Sequence, residues 1–375
     1  MSDYIEPVNF IDLKAQFQRI GPQIEEGMRR VLAHGTYIQG PEVRELEKQL
    51  AIFSGAKAVV TCANGTDALE IVLKSLELSS NHAVLVPAFT YVATAEAVVA
   101  AGATPLFVDV DENTFNLDPM SLEIGVSTAL KKGLDPKVVI PVDLFGQPAD
   151  LQAINRIARK YSLLVLVDAA QSFGSLCRNE PVGVRAQIAT TSFFPAKPLG
   201  CYGDGGAIMV ESEERADLIR SIALHGRGEH KYEHVRIGQN SRLDTIQAAI
   251  LIEKLKIFEE ELCARDLIAK RYSFALKSRF RIPEIADDLR SSWAQYTLRH
   301  DSREKITRHL RDCGIPSQVY YPIPLSEQPF YSKYPVVEGG VPISNALAGQ
   351  VFSIPMHPYL LESEQDRIIQ ALLKF

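Results

Sequence analysis

Short apolar runs alternate with helix-like segments through the first two thirds of the chain. The predicted strands are 58–61 (AVVT), 83–86 (AVLV), 104–108 (TPLFV), 138–141 (VVIP) and 163–167 (LLVLV). The predicted helices are 66–78, 93–101, 119–131 and 150–161. Strands that alternate with helices of this length indicate crossover connections. We therefore predict an α/β fold whose central sheet is mainly parallel, with helices on both faces.

One long helix is predicted from residue 243 to about residue 277, a segment without Gly or Pro whose apolar residues recur at helical spacing. The residues after it, including the run SWAQYTLRH and the segment REKITRHLRDCGIPSQ, are typical of a smaller α/β domain. The chain ends with a strand-like run, a proline-rich turn and a closing helix pattern. We expect a large domain at 1–250 and a smaller C-terminal domain at 251–375, joined by the long helix.

Composition excludes several classes of protein. The 375 residues are 46% hydrophobic and carry a formal net charge of −6, which disfavours general binding to nucleic acid or to anionic membranes. The N-terminal segment lacks the pattern of a secretory leader, and Pro, Gly or charged residues interrupt the apolar stretches, so we expect a cytoplasmic protein. Five scattered cysteines without a Cys-x-x-Cys spacing predict reduced thiols and no metal site.

An acid and a lysine stand at informative places. Asp168 ends the run LLVLVD, and ligands of parallel α/β sheets bind beyond the carboxyl ends of strands. Lys197 follows in TSFFPAKPLGCYGDGGAI, which is typical of a neighbouring strand–loop–strand, so both side chains are expected to face one crevice. This pair suits pyridoxal phosphate (PLP) chemistry, in which a lysine binds the cofactor and a carboxylate keeps the pyridine nitrogen protonated. An apolar setting would lower the pKa of Lys197. The alternative is a helix-capping aspartate and a surface lysine.

The same cofactor needs an anion site and a flat apolar contact. The run CANGTD follows the first predicted strand and opens a helix, so Gly65 and Thr66 are candidates for the phosphate, with Ser192 as a further donor. Tyr91 and Phe89 follow the next strand and are candidates for stacking on the ring. A plain helix cap and core aromatics are the respective alternatives.

A basic segment precedes the long helix. Its members are His225, Arg227, His230, Lys231, His234, Arg236 and Arg242. In an acidic protein this segment could attract a diphosphate or a carboxylate, although a solvated surface loop would have the same composition.

These motifs closely resemble the DegT/DnrJ/EryC1/StrS family of sugar aminotransferases. The resemblance runs from FIDLKAQ to SIPMHPYL through GTYIQGPEV, CANGTDALE, PAFTYVATAE, VDAAQSFG, TSFFPAKPLGCYGDGGAI and GQNSRLDTIQAAIL. It implies a PLP-dependent transferase of fold type I (aspartate aminotransferase-like) that forms homodimers with shared active sites. Glutamate is implied as the amino donor, 2-oxoglutarate as its product, and a nucleotide-linked keto-sugar as the acceptor.

The resemblance also assigns roles to individual residues. It implies that Lys197 binds the cofactor covalently and that Asp168 pairs with the pyridine nitrogen. Gln171 would contact the ring hydroxyl and Tyr91 would stack on the ring. The phosphate would be held by Gly65, Thr66, Ser192 and, from the partner subunit, Asn240. Relatives that act as dehydratases have histidine in place of the lysine, so Lys197 indicates a transaminase.

Within the family the chain is most similar to enzymes that aminate a UDP-linked 2-acetamido-3-keto-hexuronic acid for lipopolysaccharide and O-antigen biosynthesis. Arg242 of the partner subunit would pair with the sugar carboxylate, and Tyr320 and Tyr321 would lie beside the substrate. Many relatives have histidine at the position of Tyr320, and Arg242 also occurs in relatives that use neutral deoxysugars. The alternatives are an aminotransferase for a dTDP-linked 3-keto or 4-keto deoxysugar and a non-catalytic scaffold or regulator. A NAD-dependent oxidoreductase is disfavoured because no Gly-x-Gly-x-x-Gly follows the first strand.

Overall fold

The computed structural model describes residues 8–230 and 232–375. The helices in these ranges are α1 (Leu13–His34), α2 (Pro41–Ser54), α3 (Gly65–Lys74), α4 (Ala93–Ala100), α5 (Pro119–Lys131), α6 (Leu151–Tyr161), α7 (Val182–Arg185), α8 (Glu213–Ala223), α9 (Thr245–Leu276), α10 (Arg303–Asp312), α11 (Pro342–Gln350) and α12 (Glu362–Lys374). The strands are β1 (Ala58–Cys62), β2 (His82–Pro87), β3 (Thr104–Val108), β4 (Asp135–Val139), β5 (Leu164–Asp168), β6 (Leu176–Cys177), β7 (Glu180–Pro181), β8 (Ile188–Ser192), β9 (Gly206–Val210), β10 (Leu289–Arg290), β11 (Tyr296–Arg299) and β12 (Val351–Ile354).

The central sheet has seven strands in the order β1-β9-β8-β5-β4-β2-β3. Strand β9 runs antiparallel to both of its neighbours, whereas β8, β5, β4, β2 and β3 pair in parallel. The carboxyl ends of β1, β8, β5, β4, β2 and β3 therefore meet at one edge. The predicted mainly parallel sheet is confirmed.

The boundary of β4 differs from the prediction. The sequence placed this strand at 138–141, but it starts at Asp135 and includes Pro136, which is paired with Ala83. Proline cannot donate to a ladder, and it is accommodated here by a shift in register between Ala83 and Val84.

Two large hydrophobic cores share the helix α9. Its first half contributes Ala248, Leu251 and Phe258 to the core around the central sheet. Its second half contributes Ala269 and Tyr272 to a core built with β11, β12, α10 and α12. The predicted long helix is thereby confirmed. The division into domains at residue 250 stays a prediction, since residues Leu325, Tyr331, Val337 and Val341 return to the first core.

Helix α1 begins at a side-chain cap and lies along α9. The Asp12 carboxylate accepts a hydrogen bond from the Ala15 amide (2.9 Å), and the helix ends at Gly35 in the left-handed conformation (φ 69°). Within the described parts of the chain, no helix combines the length and the apolar character needed to cross a bilayer.

Candidate active site

Asp168 lies at the carboxyl end of the central strand β5 and is 6% exposed. Its Oδ1 accepts a hydrogen bond from the Ala170 amide (3.1 Å) and its Oδ2 accepts one from the Thr94 hydroxyl (3.2 Å). Burial raises the pKa of Asp168, while the Ala170 amide, the charge of Lys197 and the Thr94 hydroxyl act in the opposite direction. The carboxylate is therefore fixed in orientation, and it needs a positive partner to remain charged.

Lys197 lies in the turn between β8 and β9, as predicted. The turn is closed by hydrogen bonds from the Lys197 amide to the Phe194 carbonyl (2.8 Å) and from the Cys201 amide to the Phe193 carbonyl (2.8 Å). Burial lowers the pKa of the Lys197 amine, and the carboxylate of Asp168 partly offsets this effect. A lowered pKa increases the neutral fraction of the amine, which is the form that attacks a carbonyl.

Gly65, Thr66 and Ser192 form one side of the crevice. Helix α3 begins at Gly65, and the Asn64 side chain caps it by accepting from the Asp67 amide (2.8 Å). A Cβ at position 65 would lie 2.7 Å from the Ser192 Cβ, so only glycine permits this approach. The first turn of α3 thus presents free N–H groups beside a serine, an arrangement that suits a phosphate.

Aromatic rings and an amide complete the crevice. The Tyr321 ring lies 6.0 Å from the ring of Tyr91 and 6.4 Å from that of Phe89. Tyr91 is 55% exposed whereas Phe89 is 1% exposed, so Tyr91 offers a free face and Phe89 is a core residue. Gln171 accepts from the Phe145 amide (2.6 Å) through its oxygen and donates to the Tyr321 hydroxyl (3.4 Å) through its nitrogen. Burial raises the pKa of Tyr321, which keeps its phenol protonated.

Tyr320 lies next to this group. Its ring is 5.8 Å from that of Tyr321 and 6.5 Å from that of Phe10. The predicted substrate tyrosines therefore adjoin the predicted cofactor residues Tyr91 and Gln171.

Asn240 and Arg242 flank Ser241, whose hydroxyl accepts a hydrogen bond from the Ala63 amide (3.0 Å), two residues before Gly65. Asn240 is exposed, and Arg242 is among the residues lining a cavity of about 340 Å³ with Arg44, Arg220 and Arg227. Lys197, Asp168, Gln171 and Tyr321 do not line that cavity. The prediction that the partner subunit supplies Asn240 and Arg242 remains a prediction.

The basic segment is less uniformly positive than its sequence suggested. Arg227, His230 and Arg236 line a surface cavity of about 910 Å³ that also contains carboxylates. Those carboxylates belong to Glu214, Asp217, Glu229 and Glu233. Lys231 lies outside the described residues.

The sequence did not reveal several polar neighbours of the site. Thr94 contacts Asp168 from the first turn of α4, and Lys254 donates to the Gly200 carbonyl (2.7 Å) in the turn after Lys197. Burial lowers the pKa of Lys254 to about 8. Thr94 lies within the motif PAFTYVATAE, which follows a predicted strand at its ligand side, and this position was the available signal. For Lys254 the helical pattern of α9 gave no signal.

The model of the DegT/DnrJ/EryC1/StrS aminotransferase family matches residues 18–373. The chain belongs to this family.

Relatives in sequence and structure agree with that assignment. A Pseudomonas aeruginosa protein named UDP-2-acetamido-2-deoxy-3-oxo-D-glucuronate aminotransferase is 49% identical over 98% of this chain and 99% of its own. The crystal structure of a DegT DnrJ EryC1 StrS aminotransferase from Brucella abortus is 48% identical, covers 98% of this chain and 99% of its own, and superposes with a TM-score of 0.97. The Bacillus subtilis protein ntda, solved with bound cofactor PMP, is 29% identical, with a TM-score of 0.88 and coverage of 100% of this chain and 86% of its own. The predicted fold, that of PLP-dependent transferases of type I, is confirmed.

The residues of this DegT-family chain are suited to pyridoxal phosphate. The lack of a side chain at Gly65 lets Ser192 lie against the first turn of α3, so a hydroxyl and backbone N–H groups come together as a phosphate site requires. The buried Asp168 would hold the pyridine nitrogen, Lys197 would bind the aldehyde carbon and Gln171 would face the ring hydroxyl. The exposed face of Tyr91 is available for the ring.

Proposed function

We propose that this protein is a PLP-dependent aminotransferase that transfers the amino group of glutamate to the C3 ketone of a UDP-linked 2-acetamido-3-keto-hexuronic acid. The observation that carries the chemistry is the buried Asp168 beside an amine of lowered pKa, Lys197, at one edge of the sheet. The near-full-length likeness to the P. aeruginosa protein supports the substrate. We infer a role in bacterial surface polysaccharide biosynthesis from the family resemblance of the motifs.

The chain's own residues divide the work. When bound, the pyridoxal ring supplies an electron sink for bond changes at the amino-bearing carbon. The Asp168 carboxylate would stabilise the positive charge of the protonated ring nitrogen. The Lys197 Nζ, in its neutral form, would accept the proton from the carbon that bears the amino group and hold it as an ammonium group. Gln171, held by the Phe145 amide, orients the ring within its plane.

A half-reaction series on the purified protein tests the proposal directly. Glutamate added to the PLP-loaded protein should change the absorbance of the cofactor, and the correct keto-sugar should reverse the change. We expect reversal with the UDP-3-keto-uronic acid. Reversal only with a neutral dTDP-keto-sugar would retain amino transfer and overturn the substrate, whereas no response to glutamate would overturn the donor.

Arg242 is expected to form an ion pair with the carboxylate of the sugar. Replacing Arg242 with alanine should lower kcat/KM for the uronic acid by about 10- to 100-fold, since a hydrogen bond to a charged group contributes about 1.5–3 kcal/mol. The reaction with glutamate should be unchanged. Kinetics with the uronic acid and with a neutral keto-sugar of the same nucleotide measure the effect. An exposed arginine of α10, Arg311, provides the control Arg311→Ala. Equal losses on both sugars would contradict a carboxylate contact.

The shared active site can be tested by mixing two defective variants. If Lys197 and Arg242 of one site come from different chains, a dimer of Lys197→Ala with Arg242→Ala contains one intact site. Random exchange of subunits should then restore about a quarter of the wild-type rate, because half of the dimers are mixed and each has one working site of two. Activity after refolding the two variants together, compared with each refolded alone, gives the result. No recovery in demonstrably mixed dimers would place both residues in the same chain's site.

A further inference from the structure

A second buried acid lies directly behind Asp168. Asp143 is fully buried, and its amide donates to the Asp168 carbonyl (3.1 Å). The Asp168 amide in turn donates to the Pro141 carbonyl (2.9 Å). These bonds join the chain that follows β4 to the end of β5. The two acids are therefore fixed relative to each other by the backbone.

The Asp143 carboxylate contacts an amide of its own loop, a hydroxyl in the turn after Asp168 and one arginine. Its Oδ1 accepts from the Ala149 amide (2.8 Å), and its Oδ2 accepts from the hydroxyl of Ser172 (2.7 Å), which lies in the turn after Asp168. Arg185, the last residue of α7, places its Nη2 3.5 Å from Oδ2. The side chain of Arg185 is 6% exposed and its guanidinium nitrogens make no hydrogen bond in the structure.

The charges in this region belong to several elements. Lys197, Thr94, the Ala170 amide and Asp143 face Asp168, and Tyr321 lies close enough for the Asp168 charge to raise its pKa. Asp143 faces Arg185, Ser172, the Ala149 amide and the half-buried Cys177, whose own pKa is raised by burial. Arg185 is thus the cation that balances Asp143, as Lys197 is the cation that faces Asp168.

We propose that the buried Asp143–Arg185 ion pair is a positioning and charge-balancing element for Asp168, which lets Asp168 remain ionised opposite the cofactor ring. The inference rests on the proposed PLP-dependent function. Asp143 acts through Asp168, because its carboxylate accepts a hydrogen bond from Ser172 in the turn that follows Asp168.

The physical reason is the cost of a second negative charge in the interior. The Asp143 charge raises the pKa of Asp168, and a buried carboxylate without a counter-charge is strongly disfavoured. Removing Arg185 alone leaves two acids that repel each other. Removing Asp143 alone leaves a cation that favours the ionised form of Asp168. The two single changes must therefore act on Asp168 in opposite directions.

The first measurement is the affinity for PLP across pH, by titration of the apoprotein. PLP binding should weaken as pH falls and Asp168 becomes protonated. We call the pH range over which this affinity falls the acid limb of the curve. We expect the midpoint of the acid limb to lie about one pH unit higher in Arg185→Met and to lie lower in Asp143→Asn. The double variant Asp143→Asn/Arg185→Met should return close to wild type. Limbs that coincide, or that shift in the same direction for both single variants, would overturn the proposal.

A matched control separates charge balance from loss of a buried arginine. Arg299 on β11 is also nearly buried, with its side chain 7% exposed, and pairs with Glu112 (3.1 Å) in a different part of the fold. Arg299→Met should destabilise the protein without moving the acid limb. A shift equal to that of Arg185→Met would show that the limb reports general loosening of the structure, and would overturn the proposal.

The second measurement uses the apoprotein alone. Without Arg185, the folded-state pKa of Asp143 should rise further above its unfolded value, so the folded state holds the proton more tightly. The stability deficit of Arg185→Met should then be small at low pH and grow as pH rises through the window between those two values. Adding Asp168→Asn should reduce this pH-dependent deficit, because it removes the repelling charge. Strict additivity would overturn the coupling.

The two measurements also separate the inference from the function on which it rests. Wild-type protein that fails to bind PLP would overturn the proposed function. The double-mutant cycle between positions 185 and 168, measured as the stability of the apoprotein, would still decide whether the ion pair balances the charge of Asp168.

Discussion

Replacing Lys197 with alanine is expected to lower the rate of amino transfer by at least about 1,000-fold. The change removes both the amine that binds the cofactor and the group that moves protons, and positioned proton transfer alone contributes about 10²- to 10⁴-fold. Single-turnover absorbance changes after addition of glutamate, followed by product analysis with the keto-sugar, measure the loss. Melting temperature and circular dichroism should show an unchanged fold, since the amine makes no hydrogen bond that closes the β8–β9 turn.

The matched control for this prediction is Lys160→Ala. Lys160 lies on α6 with a side chain that is 61% exposed and paired with Glu123 (2.6 Å). Its removal should leave the rate within about twofold of wild type, because exposed ion pairs contribute roughly 0–1 kcal/mol to stability and none to the chemistry. A Lys197→Ala protein that retained near-normal turnover would contradict the assignment of the amine.

Replacing Asp168 with asparagine is the second change with a large expected effect. The amide retains the shape, and its single oxygen can still accept from the Ala170 amide while its nitrogen faces the Thr94 hydroxyl, but it cannot balance a positive ring nitrogen. We expect a loss of about 10²- to 10⁴-fold in kcat and a weaker affinity for PLP, in the range seen when a positioned charge is removed from a catalytic site. Rapid-reaction kinetics with glutamate and titration of the apoprotein with PLP give the two values.

Asp109 provides a control of the same residue type and burial. It is 7% exposed, and its carboxylate accepts hydrogen bonds from the Ser344 hydroxyl (2.6 Å) and from the Ile343 amide (2.9 Å) at the start of α11. Asp109→Asn should lower the melting temperature while PLP affinity and the glutamate reaction remain close to wild type. If both variants lost activity in parallel with stability, Asp168 would have only a structural role.

The sequence predicted the parts of the site that depend on position along strands. The run LLVLVD placed Asp168 at the end of a strand, and the Gly-rich segment after Lys197 predicted a turn between two strands, both as observed. The hydrophobic periodicity of a short segment is enough to locate the end of a strand. Because parallel strands have their carboxyl ends at one edge of the sheet, residues at those ends are predicted to lie near one another.

Contacts between distant segments could not be predicted in this way. The Thr94 hydroxyl on Asp168 and the Asp143–Arg185 pair join residues whose local patterns are those of an ordinary helix and an ordinary loop. Only packing of the sheet brings them together. The proposed contribution of Asn240 and Arg242 to the site of a second chain is still harder to predict from a local pattern, because it would depend on the association of two surfaces.

The turn that carries Lys197 has a consequence for how the chain folds. The connection between β8 and β9, which contains Lys197, is the shortest between neighbouring strands of the central sheet in the described part of the chain. By contrast, β1 and β9 pair residues that are far apart in the sequence, such as Ala58 and Val210. The entropy lost on closing a loop grows with its length, so the β8–β9 hairpin forms at a lower entropic cost than the β1 edge. Lys197 therefore lies in the connection of the most local pairing among the described strands of the central sheet, the one whose closure costs the least chain entropy.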